Sequence, residues 1–240
     1  MITTGSIIGR SHRLMQQNCQ DAAVGGTLTP DVAFGLVLDG CGSKYREESG
    51  IHPSHNEIGA HLLGAYADAF LQQALTAQDI ELDSLPARLY QACLTYLDCL
   101  VTLHPFQTNE DRHRFIATHL LATLVGFVVT PETAVCFWAG DGYLRINDNI
   151  IPLESNNHPD YLAYQLLPGR ENGRFHTLTV RERDNLNRLA VATDGWRTDL
   201  LSTLPETQTN LALQRWLNVQ ARTRGNFEDD GAIAVYNNES

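Results

Sequence analysis

The chain has few cysteines and no pattern among them: Cys19, Cys41, Cys93, Cys99 and Cys136 are odd in number, scattered, and form no Cys-x-x-Cys pair. That excludes a disulfide framework and a thiolate zinc site, and it matches the usage of a reducing compartment. Long apolar runs are missing too. No stretch approaches the roughly 20 apolar residues of a membrane span, and the opening MITTGSIIGR lacks the basic segment and long apolar run of a secretory signal. The expectation is a soluble, cytoplasmic protein with no membrane partner. Positive charge is short: 17 Lys and Arg stand against 28 Asp and Glu, for a net charge of -11. Nucleic acid and anionic lipid both call for clustered cations that displace counterions, so neither is an expected partner. Acidity of this degree suits cation binding instead.

What is present is enough for one sizeable core, with 240 residues of which 43% are apolar, and a single domain over 1–240 is expected. SIIG, DAAVGGTL and VAFGLVL read as early strands separated by turn residues. NEIGAHLLGAYADAFLQQAL repeats apolar residues at three- and four-residue steps, with Asn56 as N-cap. A second helix runs from about Ser84 to His104, with Pro86 in its first turn. LLATLVGFVV, PETAVCFWAG, YLRIN and NIIPL then follow so closely that they suit antiparallel hairpins rather than βαβ units. A segment from Glu154 to Gly173 reads as a surface flap. FHTLTV and NRLAVAT are strands, a short helix follows Trp196, a longer one spans about Glu206 to Arg222, and GAIAVY closes the chain. This order predicts an α+β domain of antiparallel sheets covered by helices.

Four apolar runs end at an aspartate backed by glycine or a second acid: VAFGLVLDG, AVCFWAGDG, LAVATDGW and FEDDG before AIAVY. Strand-like runs favour β-branched and aromatic residues while Asp-Gly favours a turn, so each reads as a buried strand delivering a carboxylate to a tight turn. Asp39, Asp141, Asp194 and Asp229 or Asp230 could thus meet at one sheet edge. Such a cluster repels itself unless a divalent cation sits in it. Carboxylate and carbonyl oxygens suit magnesium or manganese, and the absence of paired His or Cys disfavours zinc. Two such ions polarise a bridging water and hold phosphoryl oxygens, which calls for no protein nucleophile, so phosphoester hydrolysis is the expected reaction. Each Asp-Gly alone is more often an ordinary turn; four of them, each after a strongly apolar run, point to a shared site. Cys41, beside Asp39, reads as a small turn residue, and Trp138 and Trp196 read as core aromatics.

In order along nearly the whole chain, QNCQDA, VLDGCGS, NEIGAHLL, HLLATLVGFVV, FWAGDGYLRI, VATDGW and EDDGAIAVY resemble the motifs of the metal-dependent protein phosphatase 2C family. SHRLMQQNCQDA is similar to a bacterial branch with Ser-His and a Gln-Asp pair. The resemblance implies a four-layer α-β-β-α sandwich, a centre of two Mn or Mg ions, and hydrolysis of phosphoserine and phosphothreonine in protein substrates. It implies that Asp39 bridges the metals, that the Gly40 carbonyl binds the second, and that Asp194 and Asp229 complete the first. Asp21 would hold outer-shell waters, and Asp141 would contribute to a weaker third ion. Catalytic roles then fall to Asp39, Asp21 and His12. The implied partners are a cognate kinase or its targets.

The chain departs from the family pattern at several points. Gln20 replaces the usual Glu on the second-metal side. Gln16 stands where an arginine commonly binds substrate phosphate, leaving Arg10, His12 or Arg13 as substitutes. His12 and His55 are the side-chain candidates for general acid, with metal-bound water as the alternative. Ala232 occupies a common Thr or Ser position, and Glu228 reads as a solvated neighbour. The loss of the Glu at Gln20 and of the arginine makes a catalytically weak or silent binding module the alternative function, and a phosphatase of small phosphoesters is a third, because the flap that would choose substrate carries no readable code.

Overall fold

The computed structural model describes residues 1–42, 46–47, 50–51, 53–76, 81–155, 160–170, 173–181, 183–206 and 209–238. In chain order the elements are β1 (Ile2–Ile7), α1 (Arg10–Met15), β2 (Asp21–Thr29), β3 (Val32–Asp39), β4 (Arg46–Glu47) and β5 (Gly50–Ile51). Next come α2 (Asn56–Leu75), α3 (Leu85–Thr102), α4 (Asn109–His119), β6 (Leu124–Val129), β7 (Ala134–Ala139), β8 (Gly142–Ile146) and β9 (Asn149–Leu153). The chain closes with β10 (His176–Val180), β11 (Arg188–Ala192), α5 (Thr198–Ser202), α6 (Asn210–Gln220) and β12 (Gly231–Asn237).

Two five-stranded antiparallel sheets result, one in the order β1-β12-β11-β8-β9 and the other β10-β7-β6-β3-β2. Period-two alternation sorts side chains between layers. On β3, Phe34, Leu36 and Leu38 pack against the helical side formed with α2 and α3, whereas Ala33 and Val37 enter the space between the sheets. On β12, Ala232, Ala234 and Tyr236 face that same inter-sheet core, while Ile233 and Val235 meet Leu213 and Leu217 of α6. Three apolar cores between four layers make the expected α-β-β-α sandwich. No helix of the described residues is long and apolar enough to cross a membrane.

Several local expectations change. Asn56 is not the cap of α2: His55 holds that position, and Asn56 is fully buried inside the first turn. Its amide donates to the Cys41 and Ala117 carbonyls at 2.8 and 3.2 Å and accepts from the Leu121 N–H at 2.9 Å. A polar side chain buried so deeply is retained because both its amide hydrogens and its oxygen are engaged. Helix α4 has no sequence-level counterpart, since a segment as polar as NEDRHRFIATH carries little apolar periodicity; a Thr108 cap bonded to the Asp111 N–H at 3.0 Å starts it. The flap reading also needs correction. Tyr161, Leu162 and Ala163 are buried in the core under α3, because YLAYQLL supplies the apolar surface to pack there. His158 and part of that segment lie outside the described residues. Helix α6 begins at Asn210, capped by Thr209 through the Ala212 N–H at 3.2 Å, later than Glu206.

Candidate metal centre

Antiparallel pairing brings the acidic ends of distant strands to one end of the sandwich. Asp21 opens β2 directly opposite Asp39, which closes β3. Asp141 lies in the β7–β8 turn, Asp194 follows β11, and Asp229 and Asp230 precede β12. Carboxylate oxygens of Asp39, Asp141 and Asp194 lie within 4.8 Å of one another. Asp229 belongs to a second group, in which His12, Asp229 and Asp230 meet the same spacing. The structure therefore places Asp141 in the compact carboxylate group and Asp229 beside it.

Electrostatics bind these groups into one centre. Burial, then the charge of Asp194, then those of Asp229 and Asp141, push the Asp39 carboxyl up to about 7. Asp21, only 2% exposed, is raised well above the ordinary carboxylate range, first by burial and then by Asp39. A hydrogen bond between the two carboxyls raises Asp21 and lowers Asp39, so in the absence of a cation the pair holds a proton between them. Among the described residues no Lys or Arg forms an ion pair with Asp39 or Asp141. Oxygen-only donors of uncompensated charge fit a hard divalent cation.

The backbone is shaped around the acids. Gly40 forms a bridge to Ala122, and its N–H donates to the Gln20 carbonyl at 3.0 Å. A Cβ there would lie 2.8 Å from the Asn56 backbone and 2.9 Å from the Gln20 carbonyl, so close chain approach requires glycine at this turn. Gln20 thus contributes through its main chain, whose N–H also donates to Asp230 Oδ2 at 2.5 Å.

Asp230 is 3% exposed and accepts two donors, the N–H groups of Gly9 at 2.6 Å and Gln20, while His12 Nδ1 lies 2.8 Å from Oδ2 at ion-pair distance without a hydrogen bond of good geometry. The neighbouring Asp229 side chain is 70% exposed and, among the described residues, accepts the Asp230 N–H alone, at 2.8 Å, with His12 Nδ1 at 3.9 Å. Asp230 therefore fastens the N-terminal segment to β12, and Asp229 remains open to solvent. His55 lies apart, 3.7 Å from Glu57 and with its ring centroid 5.4 Å from that of His119.

The whole chain finds its counterpart in known phosphatases. Its sequence matches the description Protein phosphatase 2C over residues 8–226. The chain belongs to the protein phosphatase 2C family. That membership supports a metal-dependent protein phosphatase. Three solved structures share the fold: a bacterial serine phosphatase (12% identity, TM-score 0.64, covering 100% of this chain and 98% of that one), the Pseudomonas aeruginosa protein PppA (16%, 0.60, 99% and 97%), and the catalytic domain of the serine threonine phosphatase PstP with two manganese ions (16%, 0.60, 98% and 96%). No protein of curated function matches it by sequence.

Within this phosphatase 2C fold, several supporting residues escape sequence reasoning. Thr193 Oγ1 donates to Asp21 Oδ2 at 2.5 Å and accepts the Ala232 N–H at 2.9 Å. Thr123 Oγ1 accepts the Asp39 N–H at 3.2 Å, and Ser155 Oγ donates to Asp141 Oδ2 at 2.7 Å. Only Thr193 carried a signal, as the residue directly before Asp194. Tyr161, whose phenol burial and then Cys41 push upward, gave none. Cys41 is buried with its thiol donating to the Gly42 carbonyl at 3.2 Å, in keeping with a turn residue. Trp196 is buried against Phe227, an edge-on pair with centroids 5.0 Å apart, as a core aromatic should be. Trp138 is half-buried and stacks on His176.

Proposed function

We propose that this protein hydrolyses phosphoserine and phosphothreonine in protein substrates, using Mn2+ or Mg2+ held by Asp39, Asp194, Asp229 and the Gly40 carbonyl, with Asp141 serving a weaker third ion. The observation that carries the reading is the meeting of Asp39, Asp141 and Asp194 oxygens within 4.8 Å at the strand ends. The two manganese ions of the PstP structure support a pair of ions here. Bound divalent ions supply Lewis-acid charge to phosphoryl oxygens and lower the pKa of water.

The chain's own residues do the rest. Asp21, buried beneath Asp39, orients that carboxylate and takes up or returns a proton as the ligand set changes charge. Hydrolysis breaks the bond between phosphorus and the serine or threonine oxygen, and the departing alkoxide takes a proton. His12, whose Nδ1 lies 2.8 Å from the Asp230 carboxylate, is the side chain we assign to carry it, since His55 lies against Glu57 on the helical layer. Five cysteines free of disulfides support action in the reducing cytoplasm, opposite a kinase of the same cell.

Phosphate release from a phosphothreonine peptide with Mn2+, and its loss in Asp39→Asn, tests the reading. A wild type as silent as Asp39→Asn with both Mn2+ and Mg2+ would replace it with the binding-module function. Turnover of nucleotide or sugar phosphates above that of phosphopeptides would replace it with the small-phosphoester function.

A further inference from the structure

The chain is strongly acidic overall, yet four of its arginines line a single cleft. Arg10 and Arg13 of α1 face Arg222 and Arg224 of the loop after α6 across a space of about 430 Å³, with Glu228 as the carboxylate on its wall. The cleft has a built frame. Arg10 and Ser11 donate their N–H groups to the Phe227 and Glu228 carbonyls at 2.9 and 3.1 Å, and Ser11 Oγ adds a bond to Glu228 O at 2.7 Å. From the other side, Arg197 Nη1 holds the Gly225 carbonyl at 3.1 Å.

The four guanidinium groups are not equivalently engaged. Arg13 Nη2 donates to the Ala221 carbonyl at 3.2 Å and so answers the end of α6. Arg10 lies 3.6 Å from Glu228, an exposed pair that leaves most of its donors free. Arg222 and Arg224 are exposed, and neither side chain has an ion-pair or hydrogen-bond partner among the described residues. Glu228 on its wall is followed directly by Asp229, which stands beside His12 and Asp230 and whose charge reaches Asp39, so the cleft neighbours the acidic end of the sandwich. Arg10 and Arg13 thus line this neighbouring cleft.

We propose that this cleft receives the anionic flank of the phosphoprotein substrate, either Asp and Glu side chains or a second phosphorylated residue near the one hydrolysed. The proposal rests on the phosphoprotein phosphatase reading above. Guanidinium groups offer planar, paired donors that match carboxylate and phosphate oxygens. A chain of net charge -11 repels acidic peptides at long range, and a local positive cleft beside the centre reverses that field where the substrate must lie. It would favour anionic segments and orient them with the phosphoresidue toward the acids.

The test uses the full chain with Mn2+, wild type and R222Q/R224Q, on phosphothreonine peptides that differ only in flank: neutral, Asp- and Glu-rich, or carrying a non-hydrolysable phosphonate residue. The wild type should show a KM about tenfold lower for one or both anionic flanks than for the neutral one. The double variant should lose that preference while kcat and the turnover of p-nitrophenyl phosphate stay unchanged. Preference for only the phosphonate flank identifies a second phosphate as the ligand, and equal preference identifies anionic charge in general. An equal KM for all three flanks in the wild type, or a preference that survives in the variant, overturns the proposal. Fluorescence anisotropy with the same peptides in EDTA separates the two readings. Arg-dependent binding without hydrolysis sinks the phosphatase reading and keeps the cleft, and hydrolysis with Arg-independent KM and binding does the reverse.

Discussion

Asp21 and Asp39 stand opposite one another in the β2–β3 ladder, and their carboxyl groups share a hydrogen bond. Two acids so placed are compatible with a folded chain only if a proton or a cation offsets their repulsion. Proton and metal therefore compete for this position.

That competition sets the pH dependence of stability. Both groups have folded-state values above the ordinary 3.8, Asp39 at about 7 and Asp21 raised, so the folded chain holds protons that the unfolded chain releases. Their contribution is full below 3.8 and is lost as pH rises through about 7. In EDTA, the Tm is expected to fall between about pH 5.5 and about pH 8, and Mn2+ should raise it more at the higher pH. Asp21→Asn should flatten the slope in EDTA. Differential scanning calorimetry checks both, and a metal-free Tm that rises over this interval would contradict them.

Asp229 and Asp230 should separate cleanly under mutation. Asp230→Ala strands the N–H groups of Gly9 and Gln20 and removes the carboxylate beside His12, and is expected to cost roughly 3 kcal/mol of stability. Asp229→Ala removes an exposed carboxylate, should change stability by less than about 1 kcal/mol, and should weaken Mn2+ binding. Urea unfolding and titration calorimetry together decide which acid is structural and which meets the ion.

Gly195 tolerates no side chain. A Cβ there would lie 1.6 Å from the Asp230 carbonyl oxygen. Gly195→Ala must push the Asp194 turn away from β12, with an expected loss of about 3 kcal/mol and most activity. Unfolding curves with parallel assays would expose a tolerant site at once.

Thr193 links the acids of two sheets. Thr193→Val keeps the shape but removes the donor to Asp21 and the acceptor for the buried Ala232 N–H, which should cost about 2 kcal/mol. Thr193→Ser should recover most of that loss. If serine and valine were equally destabilising, packing of the methyl group rather than the hydroxyl would be the cause.

Much of the architecture was legible in the chain, because strand alternation and helical spacing are properties of one element at a time. VAFGLVL, AVCFWA and GAIAVY declare buried strands, NEIGAHLLGAYADAFLQQAL declares a helix, and the aspartates at the strand ends announce an acidic centre. What stayed hidden depends on partners far away in sequence. Whether Asp229 or Asp230 faces solvent is decided by Gly9, 221 residues from Asp230, whose N–H claims the buried carboxylate. That Arg10 and Arg13 share a cleft with Arg222 and Arg224 depends on the loop after α6, which starts 208 residues beyond Arg13. Asn56 reads as a cap until the Cys41 and Leu121 backbones surround it. The sequence by itself determined which residues could carry the charge and which runs would be buried. Only the tertiary structure decided which charge each acid and arginine meets, because electrostatic and hydrogen-bond energies depend on separations in space that no local pattern encodes.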